Sequence, residues 1–126
     1  MNDDQRRLAG MTMRRAVLGE AHVDRATAGA TALTAEFQDL ITRYAWGEIW
    51  TRPGLEIRDR RILVIGTLIA LGRWEEFRLH ARAALTEGGL TQDQLKEVVL
   101  QQAIYCGVPA ANTAFEQLRE LLASLA

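Results

Sequence analysis

The sequence predicts an all-α protein, a bundle of five or six helices with short connections. Apolar residues recur at helical spacing after residue 34, and no segment alternates with period two over a useful length. Helix-start and helix-stop residues separate the periodic segments. The 126 residues allow one core, and we expect a single domain over residues 1–126.

The first quarter of the chain gives the weakest pattern. Residues 1–10 are polar and are expected to be frayed, and residues 11–32 predict a short helix broken near Gly19. Between residues 34 and 50 the apolar positions return to helical spacing. Pro53 ends this helix, because the residue before a proline resists the α-helical conformation.

The second half of the chain predicts three clear helices and a central apolar one. Residues 56–72 are apolar almost all round after the first turn, a pattern typical of a helix inside a bundle or at a subunit interface. An amphipathic helix is predicted over residues 74–87, and the next one starts at Thr91 with a capping box to Gln94. Pro109 marks the first turn of the last helix.

Composition and charge argue against several classes of function. The formal net charge is −1, whereas nucleic-acid-binding domains usually carry a clear positive excess, so no nucleic-acid partner is expected. The most apolar uncharged run, residues 62–72, is too short to span a bilayer, and no membrane partner is expected. The lone Cys106 excludes an internal disulfide. Because the chain starts without the order of a signal peptide, we expect a cytoplasmic protein.

Two polar side chains lie where the helical pattern predicts burial. His80 flanks the apolar face of its helix, one turn after Glu76. It is either a half-buried imidazole suited to proton transfer or a boundary histidine with a surface hydrogen bond. Gln102 faces the core, where an unpaired amide costs about 1–3 kcal/mol, so it should meet a backbone group, a side chain or a ligand. Cys106 shares this arc as a small apolar filler or a nucleophile.

Residues 43–55 concentrate aromatic and charged side chains. On an α-helix, Arg43, Trp46 and Trp50 share one stripe, and Glu48 lies on the adjacent one. Such a cluster either packs a helix end between subunits or forms one wall of a site for a planar anion. The spacing leaves both interpretations open.

Three segments, taken in order, resemble the 4-carboxymuconolactone decarboxylase family. They are ITRYAWGEIWTRPGL (41–55), ALGRWEEFRLHARAAL (70–85) and VVLQQAIYCGVPAANTAF (98–115). The wider AhpD-like superfamily includes redox enzymes that carry CxxC followed by a histidine. Here RWEE occupies the position of that pair, upstream of His80, which favours the decarboxylase branch over the redox branch.

This resemblance implies an AhpD-like helical bundle that forms a homo-oligomer, commonly a hexamer, with active sites near subunit contacts. It also implies a reaction of protocatechuate breakdown in the β-ketoadipate pathway. In that reaction a small dicarboxylate lactone, 4-carboxymuconolactone, loses CO₂ to give 3-oxoadipate enol-lactone. No metal and no organic cofactor are expected, because the unsaturated lactone carbonyl can take up the electron pair.

The resemblance also implies roles for particular residues. His80 is expected to donate the proton or stabilise the enolate, and Glu48 to orient His80 or shuttle the proton. The expected substrate contacts are two arginines for the retained carboxylate, two tryptophans as an apolar wall and one amide: Arg43, Arg52, Trp46, Trp50 and Gln102.

Two other classes of function stay open at this point. One is a peroxidase-like enzyme of the AhpD fold that uses Cys106. The other is a non-catalytic oligomeric binding protein of the same fold.

Overall fold

The computed structural model describes all 126 residues, and every regular element in it is helical, which confirms the all-α prediction. The chain folds as two compact units, residues 1–57 and residues 58–126. The elements are α1 (Asp3–Leu18), α2 (Glu20–Ala28), α3 (Ala35–Ile41), a π-helical segment (Thr42–Ile49), α4 (Ile57–Leu71), α5 (Trp74–Thr86), α6 (Gln92–Tyr105) and α7 (Val108–Leu125).

The prediction that residues 1–10 are frayed is wrong, because α1 begins at Asp3. Asn2 and Gln5 close a capping box at its start: each side-chain oxygen accepts a hydrogen bond of 2.8 Å from the backbone N–H of the other residue. The predicted break at Gly19 is confirmed. Its φ of 91° is readily adopted only by glycine, and it separates α1 from α2.

The first unit is built on close backbone packing between α1 and the π-helical segment. A methyl group placed on Gly47 would lie 2.2 Å from the carbonyl oxygen of Arg6, and one on Gly10 would lie 2.0 Å from that of Thr42. No side chain fits at either distance, so glycine is required at both positions. This contact anchors the first helix, which the sequence pattern left without a partner.

The predicted helix over residues 34–50 is present, but its second half is not α-helical. After α3 the chain continues as the π-helical segment, whose last turn is closed by a hydrogen bond from Trp50 N–H to the Ala45 carbonyl, 3.0 Å. Runs of π-helix are rare and occur frequently at functional sites. Helical structure ends here, ahead of Pro53 as predicted.

The second unit has an apolar core drawn from α4, α5, α6 and α7. Its buried members include Ile65, Ile69, Phe77, Ala81, Leu95, Val99, Ala114, Leu118 and Leu121. Complete burial of one large apolar side chain stabilises a fold by about 1.5–3 kcal/mol. Trp74 packs edge-on against Phe77, with ring centroids 5.5 Å apart, and extends this core toward the start of α5.

The apolar helix predicted over residues 56–72 is confirmed as α4, which ends at Gly72 with a positive φ of 66°. Ile65 on its inner face is fully buried, whereas Leu63 and Leu71 are 58% and 67% exposed. The capping box that opens α6 is also confirmed, since the Thr91 hydroxyl accepts a hydrogen bond from the Gln94 N–H. None of the helices combines the length and hydrophobicity that a membrane span needs.

We expect Gly47→Ala to lower the free energy of unfolding by about 3 kcal/mol or more, because the new methyl group collides with the backbone of α1. Urea unfolding measures this change. Gly54→Ala is the matched control: no atom lies within 4 Å of its added methyl group, and the change should stay within about 0.5 kcal/mol. Equal stability of the Gly47→Ala variant and the unchanged chain would contradict the close contact.

Candidate functional site

Two tryptophans stack on each other: Trp46 lies within the π-helical segment, and Trp50 directly follows it. The ring centroids of Trp46 and Trp50 are 4.9 Å apart with an interplanar angle of 24°. Trp46 is buried and Trp50 is half-buried. The pair therefore presents one partly accessible aromatic surface in the first unit, and its role as an apolar wall for a substrate stays a prediction.

Glu48 pairs with an arginine of α1. The Arg6 Nε donates a hydrogen bond of 2.9 Å to Glu48 Oε2. This bond holds the pKa of Glu48 below its usual range, with a smaller contribution from the charge of Arg52. The carboxylate is ionised near neutral pH, so it is suited to accepting hydrogen bonds and orienting a cation rather than to donating a proton.

Arg43 is held by carboxylates of the protein. Its Nε donates to Asp39 Oδ2 at 2.7 Å, and its Nη1 lies 3.7 Å from Asp3 Oδ2. These pairs belong to an unbroken chain of alternating charges that ties α1 to α3 and the π-helical segment. In order along the contacts its members are Glu48, Arg6, Asp3, Arg43, Asp39, Arg7 and Asp4. Two carboxylates, Asp39 and Asp3, thus already balance the positive charge of Arg43, the residue expected to bind the substrate carboxylate.

His80 is half-buried on α5 in the second unit, as its position beside the apolar face predicts. Glu76, one turn earlier, accepts a hydrogen bond of 2.8 Å from Arg73 Nη2. That bond is the main reason why the pKa of Glu76 is lowered, and the charge of His80 adds to the effect. The charge of His80 therefore acts on Glu76 from one turn away on the same helix, and a direct contact between the two side chains stays a prediction.

Gln102 meets a backbone group, one of the partners expected for it. Its Nε2 donates a hydrogen bond of 3.1 Å to the carbonyl oxygen of Gly66 on α4. The side chain also lines an open groove of about 700 Å³ between α4 and α6, within the usual range for small-molecule sites. The groove is mainly apolar, with Arg58 and Thr67 among its polar residues, and His80 is not one of its lining residues.

The sequence pattern did not predict that Arg14, in the first unit, is buried. Arg14 is only 6% exposed, although its helix lies in the weakly patterned region. One signal could have revealed it: Gly10, Arg14 and Val17 follow each other at i, i+4 and i+7, and all three are buried. Arg14 therefore interrupts a stripe that is otherwise made of small and apolar residues.

Comparison with known proteins shows which family the sequence belongs to. The sequence profile of the Carboxymuconolactone decarboxylase family matches residues 35–120. The chain belongs to this family. It is 43% identical over 125 residues to a 4-carboxymuconolactone decarboxylase of Acinetobacter baylyi, which covers 99% of this chain and 92% of the relative. It is 42% identical over 105 residues to a nitrosuccinic acid decarboxylase of Metarhizium robertsii, 83% of this chain and 73% of the relative.

The family profile and the match to the Acinetobacter baylyi protein cover different parts of this carboxymuconolactone decarboxylase family member. The family profile spans the π-helical segment with Glu48, and also His80 and Gln102. Helix α1, with Arg6 and Arg14, lies outside the profile but inside the match to the Acinetobacter baylyi protein, which takes in all but one residue of the chain. The expected AhpD-like bundle and the family resemblance are therefore confirmed.

Asp39 should make stability depend on pH in a defined window. Arg7, followed by Arg43, lowers its pKa from 3.8 to about 2. A folded-state pKa below the unfolded value stabilises the fold above pH 4, and this stabilisation is lost as the pH falls from about 4 to about 2. Asp39→Asn should therefore be less stable than the unchanged chain at pH 6, with the difference fading near pH 2, in urea unfolding series.

The control for this series is Asp93→Asn, which removes an exposed carboxylate 3.7 Å from Lys96. We expect a change within about 0.5 kcal/mol across the same pH range. A constant difference between the Asp39→Asn variant and the unchanged chain from pH 6 to pH 2 would contradict the role given to the Asp39 carboxylate.

Proposed function

We propose that the chain is a cytoplasmic carboxy-lyase that converts 4-carboxymuconolactone into 3-oxoadipate enol-lactone and CO₂, in the β-ketoadipate pathway. The observation that carries this proposal is the 43% identity to a 4-carboxymuconolactone decarboxylase, which extends over 99% of the chain and leaves no element of the fold outside the match. The second relative is also named a decarboxylase, and its substrate, nitrosuccinic acid, is likewise a dicarboxylic acid.

The reaction sets a short list of physical requirements. The bond between the ring carbon and its carboxylate breaks, and its electron pair moves through the ring double bond to the lactone carbonyl oxygen. CO₂ leaves, and a proton is then added to a ring carbon. A protein that accelerates these steps holds the dianion, surrounds the departing carboxylate with apolar groups, stabilises the developing negative oxygen and supplies the proton.

His80 is our candidate for the proton transfer. It is half-buried on the rigid helix α5, beside the ionised Glu76. A neighbouring carboxylate stabilises an imidazolium, which can then donate a proton or a hydrogen bond to an enolate oxygen. Glu48, which is ionised and paired with Arg6, is proposed to act as an orienting anion.

The remaining predicted contacts are proposed with the same reaction in view. The stacked pair Trp46 and Trp50 offers the apolar surface that favours loss of charge from the departing carboxylate. Arg52 and Gln102 supply donors for the substrate oxygens, and Gln102 does so from the wall of the groove between α4 and α6. Arg43 is the last of the proposed contacts, and within the protein its charge is already balanced by Asp39 and Asp3.

The structure gives the peroxidase-like alternative little support. Cys106 is the only cysteine of the chain, so the two-thiol chemistry of the redox branch is not available within one chain. It lies at the end of α6, where it packs against the core of the second unit. This position suits a small apolar filler.

The purified protein should consume 4-carboxymuconolactone and release one CO₂ for each lactone lost, measured by lactone absorbance and CO₂ trapping. His80→Ala should lower kcat by about 100-fold or more, because a positioned general acid contributes about 10² to 10⁴. Glu75→Gln, an exposed carboxylate on the same helix, is the control and should keep normal turnover. A folded His80→Ala variant with normal kcat would remove His80 from the mechanism, and a wild-type protein that binds the lactone without releasing CO₂ would favour the non-catalytic class.

The exposed apolar face of α4 supports a homo-oligomer, and we propose a hexamer of the 14.1 kDa chain. Leu63 and Leu71 on this face are more than half exposed. Leu63→Glu should shift the sedimentation velocity of the protein toward smaller species, because a charge resists burial in an apolar contact. Leu33→Glu, at a residue 91% exposed in the first unit, should leave it unchanged. A wild-type protein that sediments as a single chain at all concentrations would contradict the proposal.

A further inference from the structure

Arg14 is a buried cation whose contacts within the protein do not balance its charge. Its Nη1 donates a hydrogen bond of 3.2 Å to the amide oxygen of Gln38, a neutral group. Its Nε is buried without any acceptor from the protein. Burial lowers the pKa of Arg14, and no carboxylate acts on it in the opposite direction. An arginine in such surroundings carries a desolvation penalty that no carboxylate of the chain offsets.

The neighbouring arginine shows that carboxylates are available nearby. Arg15 donates to Glu20 and to Asp24, at 2.5 and 2.7 Å, although it is the more exposed of the two side chains. The same holds elsewhere in the first unit, where three further arginines each pair with at least one carboxylate: Arg6, Arg7 and Arg43. The carboxylates of this unit therefore pair with partly exposed cations and leave the most buried one unpaired.

A second basic side chain reports on the electrostatic surroundings of Arg14. His22, on α2, is half-buried. Its pKa is lowered by burial first, and then by the positive charges of Arg14 and Arg25. The positive charges of Arg14 and Arg25 thus both act on His22, and no carboxylate is among the groups that shift its pKa. An excess of positive charge in a weakly hydrated position attracts an anion.

We propose that Arg14 binds a carboxylate of the substrate, with Gln38 holding the guanidinium in position. The guanidinium fork matches a carboxylate, which can accept two parallel hydrogen bonds from it. Arg14 thus takes the role that the family resemblance implied for Arg43, whose charge two carboxylates already balance.

This inference rests on the proposed function in one respect, namely the identity of the carboxylate. A dicarboxylate that loses one carboxylate keeps the other, whose charge is the same in the substrate and in the transition state. An arginine on the retained group therefore stabilises both equally, and its loss should raise KM and leave kcat nearly unchanged.

The experiment uses three variants of the full chain, with succinate as a non-reacting dicarboxylate in calorimetric titrations and 4-carboxymuconolactone in kinetics. Arg14→Met keeps an unbranched apolar side chain in place of the arginine stem and removes the guanidinium and its charge. Gln38→Glu keeps Arg14 and places a protein carboxylate at its Nη1. Arg15→Met is the matched control, since it removes the adjacent arginine, which is paired with Glu20 and Asp24.

We expect Arg14→Met to weaken succinate binding and raise KM for the lactone by about tenfold to a hundredfold, the effect of one hydrogen-bonded charge, with kcat within about threefold. Gln38→Glu should weaken succinate binding similarly while raising the Tm, because the new ion pair satisfies Arg14 internally. Arg15→Met should keep the wild-type affinity. The opposed changes in Tm and affinity for Gln38→Glu are the result that a purely structural Arg14 does not produce.

Wild-type succinate affinity in both Arg14→Met and Gln38→Glu would overturn the proposal, as would a wild-type protein that does not bind succinate. If Arg14→Met does not fold, Gln38→Glu decides alone, because it retains the arginine. A wild-type protein that binds succinate through Arg14 but does not decarboxylate the lactone would end the proposed function and leave the carboxylate site in place. Failure of the two proposals is therefore distinguishable.

Discussion

The first unit depends on one constraint, the direct contact between the backbones of α1 and the π-helical segment. Gly10 and Gly47 bring the two elements closer than any side chain at these positions would allow. That distance lets Arg6 of α1 reach Glu48, and it is the reason why an N-terminal helix of polar composition is held in place at all. The network of alternating charges adds contacts between these elements, since each of its three arginines reaches a carboxylate on a different element.

The same constraint links structure to the proposed chemistry. Glu48 is held ionised by an arginine from α1, and Arg14, the buried cation of the further inference, is carried by the same helix. The family profile over residues 35–120 includes Glu48 but neither of these two arginines of α1, Arg6 and Arg14. The match to the Acinetobacter baylyi decarboxylase extends over the residues of α1.

Much of the fold could be predicted from the sequence, because local signals decide it. The periodic segments of the second unit, the capping box at Thr91 and the stop at Gly72 depend on interactions between near neighbours. The helix α1 could not be predicted in this way. Its charged residues suggest solvent exposure. Only in the folded chain do its arginines meet their carboxylates and its backbone pack at Gly10 and Gly47.

In the candidate site, too, some features depend on near neighbours in the sequence and others on the folded chain. The closeness of Trp46 to Trp50, and the effect of the His80 charge on Glu76, follow from a spacing of about one helical turn. Arg6, the partner of Glu48, and Asp3, one of the two partners of Arg43, lie far away in the sequence, and residues 42–49 form a π-helix where the sequence pattern predicted an α-helix. Long-range pairing and local backbone geometry of this kind are properties of the folded chain as a whole.

The most direct test of this account is amide hydrogen exchange under native conditions, resolved by residue. If α1 and the π-helical segment form one cooperative unit, the slowest amides of the two elements should exchange with the same free energy of opening. The amides around Gly10 and Gly47 are the ones to compare. An α1 that exchanges with a much smaller free energy than the π-helical segment, as a frayed terminus would, contradicts the claim that this contact organises the first unit.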